Sequence, residues 1–129
     1  MADFRPSQIT GEIDAKATIE GIALSTVKTT GSADNVPATT LTTILTKTAD
    51  ANFNNISIIS VSGEDYAKFF LVLNTVILDI RRTGPDRNLS FDFTGSPLAL
   101  TTGDVVDIKV EHFNTGALLD FDATIYGYA

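Results

Sequence analysis

Few residues in this chain could do chemistry, and the first is His112, its single imidazole. Catalysis by histidine needs a nucleophile or an orienting carboxylate beside it. His112 shares the parity of Ile108 and Val110, which puts it at the inward end of an alternating stretch. A structural histidine with satisfied nitrogens is the expectation there. Paired carboxylates occur as Asp104/Asp107 and Asp120/Asp122. A glycosidase needs two carboxyls facing each other across a substrate. Asp120 and Asp122 instead sit two residues apart on one outward strand face, roughly 7 Å apart along a flat surface. Asp104 follows Gly103 at a turn, and its carboxylate is expected to bond turn amides. The acidic turns at Glu64-Asp65 and Asp34-Asn35 lack EF-hand spacing, and a weak Ca²⁺ site is the most they offer. With no Cys, thiolate nucleophiles, disulfides and Cys-ligated zinc are excluded. There is no phosphate loop, GxSxG, HExxH or dinucleotide fingerprint. No catalytic residue, metal ligand or cofactor is expected, and the chain does not read as an enzyme.

Binding residues are better represented. Arg81-Arg82, with Arg87, forms the one basic cluster. On a strand Arg81 and Arg82 face opposite sides, so one covers the sheet edge and the other reaches an acidic neighbour. That neighbour is either within the chain or on another subunit, since Arg is enriched at interfaces. Tyr126 and Tyr128 share a parity opposite to Phe121 and Ile125. Such aromatics suit protein contact first, a core second and sugar stacking third. Arg81, Arg82, Tyr126 and Tyr128 are therefore the candidate interface residues. Asn55-Ile56-Ser57 and Asn88-Leu89-Ser90 match the glycosylation sequon. The opening residues lack a basic and an apolar leader region, so no secretory signal is expected and the sequons carry little weight.

The elements that must position these residues read as strands. Ile, Val and Thr number 12, 8 and 18, and branching at Cβ suits a pleated sheet better than a helix. Residues 1–15 read as an irregular N-terminal arm and 16–129 as one domain. An alternating stretch at 17–27 switches parity at Gly21, and 29–40 reads as a long polar loop. Strands are expected at 41–48, 56–62, 66–73, 76–81, 88–94, 104–113 and from Leu119 onward. Asn74-Thr75 separates two of them by the two-residue gap of a hairpin, although Thr75 suits the turn poorly. Residues 95–103 read as a broad turn. About eight strands with one apolar face each require a second sheet, so an all-β antiparallel sandwich is expected, with a jelly roll allowed.

The 129 residues make one ordinary domain with a net charge of −7, spread evenly along the chain. Such a chain is poorly suited to a phosphate backbone or an anionic membrane surface. Neither nucleic acid nor membrane is an expected partner, and no apolar run approaches the ~20 residues of a membrane helix.

Three stretches carry a family resemblance: Arg81-Arg82-Thr83-Gly84-Pro85-Asp86-Arg87-Asn88, Pro97-Leu98-Ala99-Leu100-Thr101-Thr102-Gly103-Asp104-Val105-Val106 and Phe121-Asp122-Ala123-Thr124-Ile125-Tyr126-Gly127-Tyr128. Through them, residues 37–129 resemble the small β-sandwich virion proteins of tailed bacteriophages. The resemblance implies a jelly-roll-like module, often trimeric, without an active site. The function it implies is capsid decoration (cement) that bridges capsid subunits and stabilises the head. The partners would be the major capsid protein or other virion proteins, and the location the phage particle, after synthesis in the host cytoplasm. The alternatives are a tail-fibre or baseplate module, or a carbohydrate-binding module for a host surface glycan. The first 36 residues lie outside the resemblance, and it implies that they reach a neighbouring subunit.

Overall fold

Leu119, Phe121, Ala123 and Ile125 alternate with polar residues, and this alternation builds the strand on which half of the structure hangs. A computed structural model describes residues 26–129. Nine strands follow in order: β1 (Val27–Val36), β2 (Thr42–Thr48), β3 (Asn55–Gly63), β4 (Ala67–Leu73), β5 (Val76–Arg82), β6 (Asn88–Asp92), β7 (Leu98–Ala99), β8 (Val105–His112) and β9 (Leu119–Tyr128). They form two antiparallel sheets. One has the order β1-β9-β3-β6, with the short β7 also on β3, and the other has β2-β8-β4-β5.

The connectivity is that of one long ribbon wrapped on itself. Four antiparallel pairs, β1 with β9, β2 with β8, β3 with β6 and β4 with β5, nest inside one another along the chain. Two further pairings, β9 with β3 and β8 with β4, close each sheet. This is the jelly-roll sandwich. The core lies between the sheets. Phe53, Phe69, Phe91 and Phe121 are its largest fully buried side chains, with Ile56, Ile59, Leu71, Ile108 and Ile125 around them. Phe69 meets Phe121 edge to face, with centroids 5.9 Å apart at 77°, a favoured aromatic geometry.

Three expectations are corrected. Residues 29–40 are mostly strand, because β1 runs from Val27 to Val36. Its inward positions include Gly31 and Ala33, which are too small to show as an apolar alternation. Their size is required: a Cβ on Gly31 would stand 2.6 Å from the Ile44 carbonyl oxygen. Strict alternation along residues 56–62 sets Ile56 and Ile58 on one face, opposite Ile59 and Val61, but Ile58 does not share a face with Ile56. A bulge between Ile56 and Ile58 turns Ile56, Ile59 and Val61 inward and leaves Ile58 half-buried. The broad turn at 95–103 contains β7. The N-terminal arm at 1–15 and almost all of the alternating stretch at 17–27 lie outside the described residues.

The hairpin joining β4 to β5 turns at Asn74 and Thr75, with φ of 49° and 68°. Both left-handed values are those a type I′ turn requires. Asn tolerates this region; a β-branched Thr does so under strain. Thr75→Gly is therefore expected to stabilise the fold by about 1 kcal/mol, measured as a higher denaturant midpoint with an unchanged slope.

Candidate functional site

His112 ends β8 fully buried. Its Nε2 lies 2.7 Å from the Val36 carbonyl oxygen, and its Nδ1 accepts the Asn114 N–H at 3.2 Å. With Nδ1 accepting, Nε2–H donates, so both nitrogens are engaged by backbone. The ring packs beside Phe121, with centroids 5.7 Å apart. His112 thus ties the end of β1 to the turn after β8, and no carboxylate bonds to either nitrogen. The expectation of a structural histidine describes it.

The carboxylates are turned toward turns rather than toward one another. Asp104 accepts the Asn74 side-chain amide at 2.9 Å and the Thr101 N–H at 2.8 Å. Asn74 in turn accepts the Val105 N–H at 2.9 Å. These bonds lock the β4–β5 hairpin to the turn entering β8. They hold the Asp104 carboxyl below its usual range, the Asn74 amide contributing most. Asp107 accepts the Thr46 hydroxyl, so the Asp104/Asp107 pair does not converge. Asp120 accepts the Asn35 N–H at 2.9 Å, and Glu64 accepts the Asp120 N–H at 3.0 Å. Asp65 accepts the Tyr66 N–H at 2.7 Å and the Asn114 amide at 2.9 Å, which lower its carboxyl in that order. Asp92 is lowered by the Thr94 N–H and hydroxyl. Among the described residues no group of three or more His, Cys, Asp or Glu is placed to hold a metal ion.

The basic cluster divides by parity. Arg81 points to the inner side of β5, where its Nε donates to Asp79 at 2.9 Å and its guanidinium lies 5.1 Å from the Phe91 ring centroid. A further bond to the Ser90 carbonyl oxygen at 3.3 Å straps β5 of one sheet to β6 of the other. Arg82 takes the outer side, opposite Lys68 on β4. Arg87 donates to the Glu64 carbonyl at 3.0 Å and stands over the Tyr66 ring.

β5 is an edge strand, and it is exposed on both faces. Val76, Ile77, Leu78 and Ile80 are 60, 50, 45 and 46% exposed. An unpaired edge that is also apolar is a template for another chain. Asp79 and the two arginines blunt its later half, and the register shift opposite Leu71 and Val72 leaves Leu78 bulged; Val76 and Ile77 have no such guard. The other outward sheet face is polar. Thr30, Thr124, Ser60 and Ser90 make one row across its four strands, and Ser32, Asp122, Ser62 and Asn88 the next. Tyr126 lies on that face, between Lys28 and Ile58, and Tyr128 opposes Asn55 at the sheet's end; both are half-buried. The structure therefore separates Arg81 and Arg82 from Tyr126 and Tyr128, which sit on different sheets.

The sequence reading missed the exposure of residues 76–80 and the grouping of Lys68, Tyr66 and Phe113 around Arg82. One signal was available. Val76-Ile77-Leu78 does not alternate, so a strand there carries apolar side chains on both faces. No protein-family model matches this chain, and neither a curated protein nor a solved structure matches it.

Two outcomes follow from these bonds. His112→Ala leaves the Val36 carbonyl and the Asn114 N–H unpaired beside a cavity, and is expected to cost about 3 kcal/mol in denaturant unfolding. The carboxyls of Asp65, Asp92 and Asp104 are all depressed from 3.8. Their contribution is complete above the unfolded-state value and lost as pH falls through the lowered folded value. Thermal midpoints are expected to hold down to about pH 5 and to fall below about pH 4, and Asp104→Asn to make that fall shallower.

Proposed function

We propose that this chain is a non-enzymatic structural protein of a phage particle, a capsid decoration protein that bridges subunits of the shell. The observation that carries this reading is the β5 margin. Four large apolar side chains stand in water along one unpaired edge, while the reactive groups are spent on turns and backbone. Ile80 is already about half buried, so covering the rest of it is worth roughly 1 kcal/mol. A neighbouring strand would also satisfy the free N–H and C=O groups of the edge.

A shell subunit is the occupant proposed for this margin. Binding only the assembled shell stabilises it by mass action. Self-association into a trimer belongs to the same proposal and uses a different surface.

The test adds the purified protein to undecorated capsids and, separately, measures its mass by light scattering after size exclusion. Saturable binding and a trimer are expected. Ile77→Lys with Ile80→Lys should weaken capsid binding at least about tenfold and leave the trimer intact. No saturable binding, or a trimer that dissociates in this variant while capsid binding persists, overturns the assignment.

A further inference from the structure

A cavity of about 290 Å³ opens where β4 begins, β5 ends and β8 runs out. Tyr66, Lys68, Arg82, Phe113, Asn114 and Asp65 contribute to its lining. Its electrostatics run against the rest of the chain. Lys68 and Arg82 stand directly opposite each other across the β4–β5 ladder, and like charges in that relation repel. Among the described residues the ion pair is Arg81 with Asp79, and neither Lys68 nor Arg82 has a carboxylate within 4 Å. Glu111 is the cross-strand neighbour of Lys68 on its other side. The ammonium lies instead over the Phe70 and Phe113 rings, 5.6 and 5.7 Å from their centroids. A protein of net charge −7 thus leaves two cations side by side at a concave site.

The rest of the lining selects among anions. Tyr66 and Phe113 are 55 and 54% exposed; Arg87 and Lys68 stand over one face of each, and a ring still half in water can stack on the C–H face of a pyranose. Asp65 is fixed by Tyr66 and Asn114, and its remaining lone pairs accept from hydroxyls. Lys68 and Arg82 against Asp65 in the lining, with Glu111 beside Lys68 and Arg87 over the Tyr66 ring at the margin, leave a local excess of a single positive charge, which matches one negative charge. A phosphate monoester, with about −1.5 to −2 charges at neutral pH, would exceed that excess. The volume suits one sugar ring rather than a long ligand.

We infer that this cavity binds the carboxylate-bearing ring of an acidic glycan, of the uronic or sialic acid class. Lys68 and Arg82 hold the carboxylate, Tyr66 and Phe113 cover the ring, and Asp65 and Asn114 meet its hydroxyls. The inference stands apart from the shell-binding reading, which rests on residues 76–80.

The experiment titrates isotopically labelled protein with methyl glucuronide and with the methyl glycoside of N-acetylneuraminic acid, using methyl glucoside as the neutral control. At least one of the two acids is expected to shift the backbone amides of Lys68, Thr83, Phe113 and Asn114 saturably, and to bind about tenfold more tightly than the glucoside. Lys68→Gln and Arg82→Gln are each expected to weaken it about tenfold, the loss of one charge-assisted hydrogen bond. Without ligand, Arg82→Gln should melt at or above the parent temperature, because the repulsion is gone. Equal binding of the neutral glucoside, shifts scattered away from the cavity, or an Arg82→Gln variant that melts well below the parent would overturn the inference. So would tighter occupancy of the same amides by a polyglutamate peptide, which gives the cavity to a protein partner.

Discussion

Each sheet has one face that must be kept from water, and the meeting of those faces on Phe121 fixes the rest of the molecule. Phe121 is fully buried on β9, edge-on to Phe69 of the opposite sheet and beside the His112 ring. It also dictates what surrounds it. A Cβ on Gly63 would stand 2.1 Å from the Phe121 ring, so the end of β3 passes over that ring only as glycine. The same holds where Gly127 crosses Phe53, at 2.2 Å. Close packing of this kind leaves no slack for a side chain. The turn after Gly63 is thereby placed, and with it Asp65 and Tyr66 at the mouth of the cavity. Core packing and surface chemistry are linked here by three residues of chain.

The two outward faces answer the same topology differently. The face of the β1-β9-β3-β6 sheet carries rows of hydroxyls and amides in register across four strands. Such a face is indifferent to being left in water. The outward side of β4 and β5 carries Phe70 opposite Ile80 and Val72 opposite Ile77, then Lys68 opposite Arg82. Phe70 and Val72 are buried there by their neighbours, whereas Ile77 and Ile80 are half out in solvent. Burial gains nothing for these exposed chains in the isolated molecule. The asymmetry therefore locates the surface whose free energy changes most on contact with something else.

Much of this fold could be read from the chain itself, because inward positions on β6, β8 and β9 are large and apolar and alternate with polar ones. Leu89, Phe91 and Phe93 face the core as the alternation says, as do Val106, Ile108 and Val110. What failed was of two kinds. β1 hides its strand character because its inward positions include Gly31 and Ala33, sized by a neighbour more than ten residues away. Ile58 sits outside because of a bulge against β9, a register relation between segments some seventy residues apart. Site residues followed the same division. The inward placing of His112 was legible from strand parity and the Thr101 N–H on Asp104 from its turn, whereas the Val36 carbonyl and the Asn74 amide, 76 and 30 residues away, were not. The opposition of Lys68 and Arg82 was not, since it exists only once the hairpin closes at Asn74-Thr75. Arg81 and Arg82 were expected to split between faces, and they do, but which of them found its acid inside the chain depended on Asp79 lying two residues away on the same side.

Three departures from local rules fall on one hairpin, although Thr39 and Arg87 also take positive φ and Leu41 and Leu118 are also exposed elsewhere. At its tip a threonine is held at a φ of 68°; along its edge four apolar side chains face solvent; at its base two cations oppose each other. Each of these costs the isolated chain stability, and each has a simple remedy in glycine, a polar residue or a carboxylate. Elsewhere the molecule applies such remedies freely, as in the Asp104 lock and the hydroxyl rows. Three such breaks within sixteen residues make this hairpin a place where contact could return stability that the free chain forgoes. Repulsion at the base is a term that an anionic ligand can relieve. Under the two proposals, the β4–β5 hairpin is the part of the structure whose free energy a complex would change most.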